Sequence, residues 1–82
     1  MDMANQHELK TLTEYFQDIC SRSKTFELRK NDRDYKVGDI LILNEFNGTE
    51  LTGNKVKRTV IYILDNVEQY GLMKGFVIMG IE

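Results

Sequence analysis

A chain of 82 residues supplies one domain, and a domain this small buries only about 60% of the surface its unfolded form exposes, which leaves nothing for a second core. Thirteen acidic and eleven basic side chains give a net charge of −2, which argues against a protein that coats duplex DNA through a bulk positive field. No run of eighteen apolar residues and no basic-then-apolar leader occurs, and one cysteine with one histidine makes neither a disulfide nor a structural zinc centre, so a cytoplasmic protein without membrane span, metal or cofactor is expected.

Met1 to Asn5 carry no residue suited to a core and read as a frayed end. Gln6 to Lys10 read as a short first strand. Thr11 and Glu14 have capping-box spacing, and Leu12, Tyr15, Phe16, Ile19 and Cys20 then fall on one helical stripe, which predicts an amphipathic helix from about Leu12 to Arg22 with Cys20 buried as a small hydrophobe. A strand follows to about Lys30. Its period-two alternation assigns Phe26 and Leu28 to the core face, and Thr25, Glu27 and Arg29 to the other.

Asn31 to Lys36 form a polar turn, and Gly38 with Asp39 lead into a third strand, Ile40 to Phe46. Asn47 to Asn54 read as a flexible loop. Lys55, Lys57 and Arg58 form a solvated basic cluster at the start of a fourth strand, Arg58 to Leu64, in which Tyr62 alternates with core residues. Asp65 to Gly75 connect to a fifth strand, Phe76 to Ile81, with Gly71 and Gly75 available for positive φ. One early helix followed by strands predicts an α+β, mostly β fold: a small five-stranded barrel, closed or nearly so, with the helix packed at one opening.

The densest chemistry lies in SKTFELRKNDR, Ser23 to Arg33. From Arg22 to Arg33 five basic residues meet two acids, a local charge of +3 on a body carrying −5. A basic spot on an acidic body suits a localised anionic ligand. Lys24, Arg29, Lys30 and Arg33 could contact phosphate, and Glu27 could accept hydrogen bonds from a base edge. Asn31 could line the cleft mouth beside Asp32 and Arg33. His7 is a candidate base or stacking ligand, and Tyr35 and Tyr70, both in loops, are candidate platforms for base stacking.

This stretch resembles the signature of the ASCH (activating signal cointegrator homology) domain, a branch of the PUA-like superfamily, whose motif reads roughly G-x-K-x-x-E-x-R across a helix exit and the next strand. Lys24, Glu27 and Arg29 match it, and Arg22 stands where the motif has glycine. HELK at His7 to Lys10, NDRDYKVGD at Asn31 to Asp39 and YGLMKGFVIMG at Tyr70 to Gly80 extend the resemblance to a small bacterial and phage branch over nearly the whole chain. The resemblance implies the same helix-capped barrel, binding RNA or a modified nucleotide. Some very small ASCH proteins resemble amidohydrolases of acylated pyrimidine nucleosides, in which the signature lysine activates a threonine three residues on. Here that position is Glu27, so any reaction would fall to Lys24 and Glu27. A third possibility is a protein-interaction module whose basic spot meets an acidic partner.

Overall fold

The structure is a computed structural model and describes residues 5–82. Of the expected frayed end, residues 1–4 lie outside the described residues, while the Asn5 carbonyl accepts the Ile40 N–H at 2.8 Å. Strands β1 (Gln6–Leu12), β2 (Phe26–Lys30), β3 (Ile40–Phe46), β4 (Leu51–Leu64) and β5 (Phe76–Ile81) form one mixed sheet in the order β1-β3-β4-β5-β2. β1 runs parallel to β3, and the other neighbouring pairs are antiparallel. Among the described residues one helix, α1 (Thr13–Cys20), and a single 3₁₀ turn, Glu68–Tyr70, complete it.

Apolar residues of β1, β3, β4 and β5 meet on the inner face. Leu9, Leu41, Leu43, Val60, Val77, Met79 and Ile81 pack there with Ile19 of α1 and with Tyr35. The sheet is not closed. No ladder joins the outer strands β1 and β2, so the expectation of a hydrogen-bonded barrel is not met at that seam.

β4 begins at Leu51, which corrects the loop reading of residues 47–54 for its second half, while residues 47–50 form the turn. The buried Glu45 carboxylate accepts hydrogen bonds from the Thr52 hydroxyl (2.7 Å) and the Asn54 amide (3.0 Å), which pins Leu51 to Asn54 beside β3. The hairpin turn is itself tied by Asn47, whose side-chain oxygen accepts the Thr49 and Glu50 N–H groups at 2.9 Å. Farther along, β4 passes from β3 to β5 as its partner between Thr59 and Val60, and a bulge follows within the β4–β5 ladder between Val60 and Tyr62. An extra residue breaks the alternation, so Ile61 and Tyr62 are both exposed and Tyr62 is not the packing residue expected.

The helix is shorter than expected at both ends. Thr11 is buried as part of β1 and makes no capping box; its hydroxyl accepts from Arg29 Nη2 at 3.3 Å, and Leu12 precedes the helix without a side-chain cap. Only Phe16 and Ile19 are buried on α1, whereas Cys20 is exposed. At the exit the Arg22 N–H bonds the Ile19 carbonyl (3.1 Å) and the Lys24 N–H bonds the Asp18 carbonyl (3.0 Å). Arg22 takes φ +68° there. This is the left-handed turn that a glycine makes most easily, and it aims Lys24 back along α1.

Candidate functional site

The β2 alternation holds, but its faces are reversed. Glu27 is 3% exposed, while Phe26 and Leu28 are 46% and 54% exposed, which corrects the assignment of those two side chains to the core. A carboxylate can sit inside only if its charge is answered there. Lys24 Nζ donates to Glu27 Oε1 at 2.9 Å and Arg29 Nε donates to Oε2 at 2.8 Å. The motif lysine and arginine therefore clasp the motif glutamate from both sides.

This cluster lies on the seam between β1 and β2. In the β2–β5 register the Thr25 carbonyl accepts from Ile81 and the Asn31 N–H donates to Gly75, so the backbone groups of Phe26, Leu28 and Lys30 point the other way, toward the seam. Side chains span it in place of a ladder. Arg29 Nη2 donates across it to the Lys10 carbonyl (2.8 Å) and Arg33 Nη1 to the Glu8 carbonyl (2.9 Å), while Lys24 Nζ covers the Phe26 carbonyl on the edge of β2 itself (2.8 Å).

Where the strand edges part, they leave a cavity of about 450 Å³ lined by Lys10, Thr11, Leu12, Tyr15, Lys24, Phe26, Glu27, Leu28 and Arg29. Inward side chains of both strands make its polar floor, and outward ones its apolar walls. Lys24 Nζ also lies 4.9 Å from the Phe26 ring centroid and 5.6 Å from that of Tyr15, close enough for cation–π attraction. Lys10, Thr11, Leu12 and Tyr15 were missed by sequence reasoning. The available signal was the width of the helical stripe, which is more apolar surface than a two-turn helix can bury on a small sheet.

The other expected site residues fall elsewhere. Lys30 and Arg33 line a second cavity of about 170 Å³ with Leu9, Arg29, Asp32 and Tyr35. Asn31 accepts the Tyr35 N–H at 3.2 Å and so organises the turn. Tyr35 is only 4% exposed, which leaves no ring face for a base to stack on. Burial pushes its phenol up, and the nearby Arg29 and Arg33 charges oppose that rise. Tyr70 is 82% exposed on the 3₁₀ turn and borders neither cavity.

His7 is buried and bonds Asp39 Oδ2 through Nε2 at 2.8 Å, with its ring edge-on to Tyr35 at 4.8 Å and 67°. It borders neither cavity and locks the start of β3. Burial would raise the Asp39 carboxyl, but the His7 hydrogen bond and the Lys36 N–H (3.0 Å) hold it below its ordinary value. Among the described residues no three His, Cys, Asp or Glu side chains gather in a way that could hold a metal ion. No helix among them is long and apolar enough to cross a membrane.

The five strands and α1, from Gln6 to Ile81, lie within the region matched by a known domain model. The chain belongs to the family of domains of unknown function DUF3850, whose model matches residues 6–81. It is also similar to an uncharacterised 12.9 kDa protein in the GpA 3′ region of Escherichia phage P2, with 40% identity over 63 residues, 77% of this chain and 58% of that relative. The matched region is thus little more than half of the phage protein.

Proposed function

We propose that this is an ASCH-related, PUA-like domain that binds a nucleobase of RNA or of a modified nucleotide in the 450 Å³ cavity. In this reading the five strands wrap as a barrel whose last seam is fastened by Arg29 and Arg33 rather than by a ladder. The observation that carries the functional reading is the make-up of the cavity: the exposed rings of Tyr15 and Phe26 stand over a buried carboxylate flanked by two cations. Rings stack on a base. Glu27 oxygens keep lone pairs that accept from amino or imino N–H groups, while Lys24 and Arg29 can donate to base carbonyls. The volume lies within the range of small-ligand sites.

Binding is favoured over hydrolysis by the hydroxyl inventory. Besides the Tyr15 phenol, Thr11 supplies the hydroxyl of the lining, and its bonded partner is Arg29. A guanidinium donates and cannot accept a proton, so the group bonded to that hydroxyl is not a base. Lys24 Nζ is likewise held by Glu27 and the Phe26 carbonyl.

The test is an NMR titration with the four ribonucleosides and acylated cytidine. Binding should shift Tyr15 and Phe26, and Tyr15→Ala or Phe26→Ala should weaken it on the order of tenfold, the worth of one stacking contact. Both variants should stay folded, because both rings are already exposed. Titration with no shift at either ring sinks the reading. Turnover of acylated cytidine that Lys24→Ala abolishes would replace it with the hydrolase.

A further inference from the structure

The second cavity lies on the other side of Arg29, which lines both. Its lining brings Arg29, Lys30 and Arg33 together with one carboxylate, Asp32. Asp32 is exposed and reaches Arg33 only at 3.9 Å, and Lys30 has no ion-pair partner among the described residues. The cavity thus keeps a surplus of positive charge on a protein whose overall charge is −2.

Tyr35 supplies an independent observation. Its ring is 96% shielded among core residues and against His7, yet its hydroxyl has no hydrogen-bond partner among the described residues. No buried side-chain polar atom of the described residues lacks a partner, so this hydroxyl is reached by solvent. Tyr35 is one of the residues that line the cavity. A phenol is protonated at neutral pH and burial pushes it further that way, so it can donate.

We infer that the 170 Å³ cavity is a phosphate-class anion site, in which Lys30 and Arg33 supply charge, the free side of the Arg29 guanidinium points a donor, and the Tyr35 hydroxyl donates from below. Guanidinium and ammonium groups around tetrahedral oxygens make strong charge-assisted bonds. A cavity of this volume is ample for one such group. Joined with the larger cavity, an extension that rests on the nucleobase reading above, the site makes the ligand a strand: a base beside Tyr15 and Phe26, and its backbone phosphate across the β1–β2 seam. The same chemistry would also hold a free phosphate ion.

The experiment titrates inorganic phosphate, ribonucleosides and the corresponding dinucleoside monophosphates against the full chain and against Lys30→Ala and Tyr35→Phe. Phosphate should shift Lys30, Arg33 and Tyr35 without touching Tyr15. Dinucleotides should bind more tightly than nucleosides by on the order of tenfold, the gain from one charge-assisted contact, and both variants should lose that gain while keeping nucleoside affinity. Lys30→Ala should also flatten the salt slope by about 0.7, as one lost phosphate contact on a single strand requires. Phosphate shifts without a dinucleotide gain assign the site to free anions and overturn the strand. Nucleosides that bind with neither phosphate shifts nor a dinucleotide gain overturn the anion site and leave the base cavity standing. Failure of every probe overturns both.

Discussion

Arg22 pays a conformational cost for the position of Lys24. At φ +68° a residue with a Cβ sits in the left-handed region at roughly 1–2 kcal/mol above its right-handed alternative. Glycine removes that strain but adds roughly 0.5–1 kcal/mol of unfolded-state entropy. Arg22→Gly should therefore stabilise the domain by roughly 0.5–1 kcal/mol, read as a higher urea midpoint at an unchanged slope. A lower midpoint would mean that the Arg22 side chain does work the backbone does not reveal. Neither the left-handed exit at Arg22 nor the fate of Glu27 was legible from the residue types alone. Period-two alternation says which side chains share a face and is silent on which face is covered. Hydrophobicity chose Phe26 and Leu28 for the interior, and the ion pairs of Lys24 and Arg29 with Glu27 reversed the choice. A lysine three residues before a glutamate and an arginine two after it were in plain view. Their joint meaning, a carboxylate neutralised enough to be buried, needed the helix exit that aims Lys24 at it.

Among the elements, β3 and β5 were legible to the residue because each is an apolar run bounded by turn residues. β4 was not, because Leu51 to Asn54 are held in the ladder by the side chains of Glu45, Thr52 and Asn54 rather than by any apolar pattern of their own. The β1–β2 seam was equally hidden. Two strand edges that face each other without pairing expose donors and acceptors that invite foreign strands, and here Arg29 and Arg33 cover the β1 carbonyls. Arg33→Ala should free the Glu8 carbonyl, cost about 1 kcal/mol for one lost hydrogen bond, and speed hydrogen exchange along β1 more than along β5. Equal acceleration in both strands would show that the clamp acts on the whole sheet and not on its edge.

On the scale of the whole molecule, β3 carries a buried carboxylate at each end, Asp39 just before it and Glu45 near its close. Both titrate below their ordinary values. Burial raises Asp39, but its bonds from His7 and the Lys36 N–H prevail, and Glu45 is lowered by the Asn54 and Thr52 hydrogen bonds against the opposing effect of burial. A carboxyl lowered by folding binds fewer protons in the folded chain than in the unfolded one. Its contribution to stability is therefore complete above the unfolded value, about 4, and is lost as pH falls through the lower folded values. Urea midpoints should hold level between pH 7 and about pH 5 as far as these two groups decide them, and then drop steeply. Asp39→Asn and Glu45→Gln, alone and combined, should lower the midpoint at pH 7 and flatten the acid limb, since the amides have no proton to gain. The limb should flatten most in the double variant, because the two groups guard opposite ends of the strand that joins β1 to β4. An acid limb as steep in the double variant as in the wild type would place the acid sensitivity in other groups and free β3 of that role.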